Sequence, residues 1–342
     1  MSAFDEAYYL AQLEKLLSID STVSQYEPIQ QYLQQQLAAL GYTGTACHKG
    51  GLLVELGGSG EPLVLAAHTD DIGLMVRHIN DDGTLKVCGV GALFAFHCMG
   101  ENVRLYTRTG KIYTGSVCRT PNSLHLTQDK LCGSVPDWDT NTCIVLDENV
   151  HTADEVRALG IAVGDILAPD ARFTVSNGYL KSRFLDDKCC VALLLSLAKA
   201  LGGHRLDRKV YLYFTAYEEV GHGAAWLPEN ARDIIALDIA PTGPQQTTTE
   251  HTVTIVAKNS KIPYHRGLVS ELCRAAERAK ADYVVDVLTP HYVTDADVPA
   301  MNGYDVRFAA LGPGTGNSHG YERTHMDAIR NTFDLLKAYL NF

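Results

Sequence analysis

Tyr211-Leu-Tyr-Phe-Thr-Ala-Tyr217 is an apolar, aromatic-rich run that stops at Glu218-Glu219. The run reads as a buried strand. Two adjacent carboxylates where burial ends repel one another and are costly to desolvate. A divalent cation removes that cost, because one carboxylate can bind it while the other handles protons. The Val-Gly-His-Gly-Ala that follows supplies a tight turn of the kind catalytic loops use.

Working outward, other strand-like runs deliver comparable groups. Pro62-Leu-Val-Leu-Ala-Ala ends at His68-Thr-Asp70, a metal-ligand type with a carboxylate two residues on. Asp186 and Asp187 precede Lys-Cys-Cys-Val-Ala-Leu-Leu-Leu and read as the opening of a helix, where Asp is also an ordinary cap. Asp238 closes Ile234-Ile-Ala-Leu, and an acid flanked by apolar residues needs a cation or hydrogen bonds. His319 lies in Gly312-Pro-Gly-Thr-Gly-Asn-Ser-His-Gly-Tyr-Glu322, read as a flexible loop before the last helix. His325 competes with it, and His222 and His291 are more distant candidates. The glycines are not a phosphate loop, since no P-loop lysine follows. Ligands at the carboxyl edge of an α/β sheet are expected to converge in one crevice.

The 342 residues suggest one large domain carrying a smaller one. A net charge of -11 argues against nucleic acid or an anionic membrane as partner. Nine cysteines, none in a C-x-x-C pair, read as reduced thiols in a cytoplasmic protein. The acidic start lacks a signal-peptide pattern, and no apolar stretch is long enough to span a bilayer.

Helix-period apolar positions mark two helices within residues 5–40, and strand-like runs follow at 51–56 and 62–67. Between Gly73 and Phe173 short alternating runs separated by turn signals predict a small inserted β domain. The expected division is therefore 1–73 with 174–342 as the α/β catalytic domain, and 74–173 as the insert. After the insert, helices at 187–201, 267–280 and 327–341 alternate with strands at 209–217, 233–239, 252–257, 283–288 and 304–311. That pattern predicts a central mixed sheet covered by helices.

His68-Thr-Asp-Asp-Ile-Gly-Leu-Met-Val, Phe184-Leu-Asp-Asp-Lys, Phe214-Thr-Ala-Tyr-Glu-Glu-Val-Gly, Ala236-Leu-Asp and Thr294-Asp-Ala together resemble the tetrahedral (TET-type) aminopeptidases, the glutamyl aminopeptidase family. The resemblance spans nearly the whole chain, including Gly115-Ser-Val-Cys-Arg-Thr-Pro-Asn-Ser-Leu-His and Gly160-Ile-Ala-Val-Gly-Asp in the insert. It implies a zinc-peptidase-like α/β fold with an inserted β-barrel, and two divalent ions, usually zinc or cobalt. Asp186 would bridge the ions, His68 and Glu219 would complete one shell, and Asp238 with His319 the other. Glu218 would be the general base and Asp70 would orient His68. The implied reaction is removal of the first residue of a short peptide by metal-activated water. The insert would drive dimerisation, and dimers would build a dodecamer.

Two departures from the family pattern stand out. Asp71 occupies a position where the family usually has Glu. His319-Gly-Tyr-Glu322 is also shorter than the family's final motif, which keeps His325 in contention. The alternative enzyme is a related deacylase or dipeptidase, whose second domain would be inserted after Asp238 rather than between His68 and Asp186. A silent assembly protein would be expected to have lost ligands or the Glu base.

Overall fold

The computed structural model describes residues 4–123, 125–126 and 133–342; residues 1–3, and Leu124 of the 115–125 landmark, lie outside it. Two compact units emerge, residues 1–70 with 172–342, and residues 71–171.

The larger unit is built on a mixed sheet whose central strand, Leu63–His68, is buried along its whole length. Val210–Thr215 pairs parallel to one edge of it, with Thr215 opposite His68, and Asp233–Leu237 pairs parallel to the other. Arg307–Thr315 continues parallel beyond 233–237, and Val253–Lys258 follows antiparallel, with Tyr283–Val287 outermost. On the far side Leu52–Gly57 and Gly44–Ala46 complete the sheet antiparallel. Parallel strands buried on both faces read as near-continuous apolar runs, as Leu63–His68 does. Because these parallel neighbours end together, the segments leaving their carboxyl ends share one edge.

Helix Leu185–Leu201 packs on the central strand and on helix Glu6–Leu17. Its side chains are buried almost all round, which accounts for the unbroken Val191-Ala-Leu-Leu-Leu run. Helices Arg266–Ala279 and Met326–Leu340 pack together and on the strands at the other end of the sheet. Each has one apolar stripe, Leu268, Leu272, Ala275 and Ala276 in the first, for example.

The smaller unit is a closed six-stranded antiparallel barrel of Gly73–Ile79, Leu85–Val90, Asn102–Tyr106, Ile112–Arg119, Thr142–Leu146 and Ile166–Pro169. Leu74, Val76, Leu85, Val87, Leu105, Val117 and Leu167 fill its interior by alternation along the strands. Closure leaves no free sheet edge.

Two local expectations change. Asp186 and Asp187 carry non-helical backbone, so the regular helix begins after them, and their carboxylates are not its caps. The glycines from Gly312 do not form a loop but extend the strand to Thr315. The reason is close backbone approach: a Cβ on Gly312 would lie 1.7 Å from the Asp238 carbonyl oxygen, and one on Gly314 1.9 Å from that of Thr249.

Candidate active site

At the shared carboxyl edge, strand 63–68 ends in His68 and leads to Asp70, strand 210–215 leads to Glu218 and Glu219, and strand 233–237 leads to Asp238. Asp186 and His319 reach the same place from the non-helical bend at the start of helix 185–201 and from the turn after strand 307–315. Asp186 stands in the middle. Its Oδ1 lies 3.1 Å from His68 Nε2 and its Oδ2 3.6 Å from His319 Nε2. His319 Nε2 is also 3.6 Å from Glu219 Oε2, and Glu218 Oε2 is 3.9 Å from His68 Nε2. Donor atoms of His68, Asp186 and Glu219 lie within 4.8 Å of one another, as do those of Asp186, Asp187 and Asp238.

Each expected residue is therefore in one cluster, while His325 is not. Its imidazole packs on Tyr179 and His251 instead, with ring centroids 4.7 and 4.2 Å away. His222 stacks on Tyr217 at 5.1 Å.

Asp70 sits differently from expectation. Its carboxylate accepts the backbone N–H groups of Glu218 and Glu219, both at 3.2 Å. His68 Nδ1 meets the Asp70 carbonyl oxygen at 3.0 Å, with the carboxylate farther off at 3.7 Å. One residue thus orients the imidazole through its backbone and pins the Glu-Glu turn through its side chain. Tyr217 and Gly221, at φ 72° and 85°, frame that turn.

Three further acids complete the cluster. Glu322 accepts the backbone N–H of Asp186 at 3.0 Å and of His319 at 3.1 Å, tying two distant segments together. Asp187 accepts the His68 backbone N–H at 3.3 Å, and its Oδ1 is buried with no hydrogen-bond partner. Asp295 accepts from Thr215 Oγ1 and, at 2.7 Å, from the Ala224 backbone N–H. In the sequence Asp187 reads as part of a helix start, and Asp295 and Glu322 only as parts of motifs. The Thr294-Asp-Ala run and the Glu after His319 were the signals available.

Charge is badly balanced here. Burial, then the Asp186 charge, drives Glu219, Asp238 and Glu322 well above the usual carboxylate range. Burial does the same to Glu218, aided by Asp295 and Asp70, and Asp187 is likewise pushed well up. Burial raises Asp295 to about 6. Only Asp186 is lowered: burial opposes its charge, but the hydrogen bond and charge of His68 prevail. His68 in turn is raised well above the ordinary imidazole value, its burial outweighed by Asp186, Asp70 and Glu218. Two imidazoles cannot neutralise so many buried acids. The donor set of carboxylate oxygens and imidazole nitrogens, with an orphaned Asp187 oxygen beside it, fits divalent cations.

The sequence pattern of the M42 glutamyl aminopeptidases matches residues 50–335. The chain belongs to that family. It is 34% identical over 334 residues to the "Putative aminopeptidase YhfE" of Bacillus subtilis, covering 96% of each chain. It is 27% identical to the "Lysyl aminopeptidase" of Pyrococcus furiosus over 85% of this chain and 84% of that one. The fold is similar to that of the Pyrococcus horikoshii TET1 peptidase, with a TM-score of 0.85, 26% identity, and 97% and 99% of the two chains covered. That protein is described as assembling into a tetrahedron or a large octahedral shell. Aminopeptidase function is thus the family's activity, and a peptide hydrolase is what this M42 chain is.

Proposed function

We propose that this M42 chain is a two-ion metallo-aminopeptidase that releases amino-terminal residues from short peptides. The observation that carries the reading is Asp186, whose two carboxylate oxygens face different partners, His68 on one side and His319 with Glu219 on the other. Asp186 would bridge the ions. Glu219 stands 3.6 Å from His319, and its donor atom also lies within 4.8 Å of those of His68 and Asp186, so it can serve the ion of either imidazole, and Asp238 would complete the other shell. Bound there, zinc or cobalt ions would polarise the scissile carbonyl and make water acidic enough to ionise near neutrality.

The chain's own groups do the rest. Glu218 takes the proton of the attacking water and returns it to the leaving amine. Asp70 holds Glu218 and Glu219 in place through their backbone N–H groups and orients His68 through its carbonyl. The free amino terminus of the substrate meets the acids of the cluster. Glu322 fixes the bend at Asp186 relative to His319.

The barrel unit carries Phe94 and Phe96 stacked at 5.6 Å and about half exposed, an apolar surface suited to a second copy. With the assembly described for the TET1 peptidase, this supports a homo-oligomer built from dimers towards a dodecamer. A cytoplasmic setting is part of the reading, in keeping with nine cysteines none of which falls in a C-x-x-C pair. The test is hydrolysis of aminoacyl-nitroanilides by chelated protein after adding zinc, cobalt or manganese. Restored cleavage supports the reading, and failure of every cation to restore it rejects it.

A further inference from the structure

Among the described residues, and apart from the acid-rich cluster, one other place brings imidazoles and a carboxylate to a common point. His251 Nδ1 and His325 Nδ1 each lie 3.0 Å from the same oxygen, Asp327 Oδ2. These donor atoms come from the turn before strand 253–258, the end of strand Glu322–His325, and the first turn of helix Met326–Leu340. Tetrahedral zinc, with bonds of roughly 2.0–2.2 Å, spaces its ligand atoms about 3.3 Å apart. Both imidazole–Asp327 spacings are already close to that, and all three donor atoms lie within 4.8 Å of one another.

The far side of each ring is occupied as well. His325 Nε2 faces the Asn177 carbonyl oxygen at 3.2 Å, and His251 Nε2 faces the Tyr179 hydroxyl at 3.3 Å. A carbonyl can only accept, so His325 carries its proton on Nε2 and presents the Nδ1 lone pair inward. That lone pair takes the Asp327 backbone N–H at 3.1 Å as a helix cap. The Tyr179 hydroxyl can accept from His251 in the same sense. Metal-binding histidines are characteristically held in this way, by an oxygen partner on the other nitrogen. Arg330 Nη1 holds the other carboxylate oxygen, Asp327 Oδ1, at 3.1 Å and leaves Oδ2 directed at the imidazoles. The turn between strands Thr174–Ser176 and Tyr179–Ser182 is pressed onto His325: a Cβ on Gly178 would lie 2.4 Å from its Nε2. The rings are therefore fixed before any ion arrives.

We propose that His251, His325 and Asp327 form an additional zinc site, with three protein ligands and a fourth position open to water. Binding exchanges the weak cap at His325 Nδ1 for a metal bond and joins the start of helix 326–340 to the turn at His251. A half-exposed His251 and Asp327 leave the site open to solvent, so its ion exchanges with the medium. A purely structural reading, in which the two imidazoles only form ion pairs with Asp327, predicts no metal there.

The test compares bound zinc, by elemental analysis, after equilibrium dialysis against buffer that holds a small molar excess of zinc. Wild-type protein is set against His251→Ala and Asp327→Asn, each checked for folding by circular dichroism. Both variants are expected to lose one zinc equivalent per chain and to keep wild-type aminopeptidase activity. Zinc should also raise the Tm of the wild type by more than that of either variant. Equal zinc content in wild type and both folded variants overturns the proposal. The difference of one equivalent is read whether or not the acid-rich cluster is loaded, so its outcome is independent of the proposed function.

Discussion

Replacing Glu218 by Gln removes a proton acceptor while changing almost nothing else. The side chain keeps its volume in a buried setting, and its backbone N–H stays held by Asp70 at 3.2 Å. At 3.9 Å from His68 Nε2, the Glu218 carboxylate makes no hydrogen bond to that imidazole, so the amide breaks none there. Among the cluster's carboxylates, Glu218 is left without an assigned ligand role, so the ion content should be unchanged. General acid–base assistance is typically worth 10²–10⁴-fold in rate, or about 3–5 kcal/mol of barrier. The expectation is therefore a fall of about 10²–10⁴-fold in kcat, with KM little altered and metal content equal to wild type. Steady-state hydrolysis of an aminoacyl-nitroanilide, paired with elemental analysis, measures both. A kcat within a few fold of wild type would remove Glu218 as the base. A loss of metal together with activity would show that it acts as a ligand instead.

Asp186→Ala should lose both ions, because both proposed ligand sets share that carboxylate; retention of two equivalents rejects the bridge. Gly312→Ala should lower stability and activity together, since its Cβ would lie 1.7 Å from the Asp238 carbonyl, and a wild-type urea midpoint would contradict this. Asp233→Asn should cost about 2–3 kcal/mol, below the full value of a buried pair because both arginines are partly exposed. Burial alone would raise the Asp233 carboxyl, but hydrogen bonds from Arg307 and Arg208 hold it below the usual range. Its charged pairing therefore stabilises fully above the unfolded aspartate pKa of about 3.9, and is lost as pH falls through the lower folded value. Urea midpoints of wild type and Asp233→Asn should converge in acid, and a constant gap down to pH 2 would refute the assignment.

Much of the site was legible because strand ends are legible. Val210–Thr215 announces itself by aromatic and β-branched residues, and the acids that follow cannot be core, so they must be paired or functional. What stayed hidden depends on distant backbone. The two acids at 186–187 look like a helix start, and only the packing of that segment beside His68 and Glu322 turns them into a bend that feeds the cluster. The glycines after Leu311 look like a loop because nothing local reveals that the Asp238 and Thr249 carbonyls press against them. Asp70 is similar: its partners are backbone N–H groups some 148 residues away, which no side-chain pattern encodes. His325, adjacent in sequence to the right region, is carried elsewhere by the strand and helix it joins.

In the proposed enzyme, buried carboxylates flank a pair of cations that Asp186 would bridge. An anomalous-difference map of crystals loaded with zinc or cobalt, collected at the absorption edge of that ion, tests it directly. Two peaks flanking Asp186, roughly 3.5–4 Å apart, are the predicted result. A map with no peak beside Asp186, from protein that cleaves peptides at full rate, would contradict it.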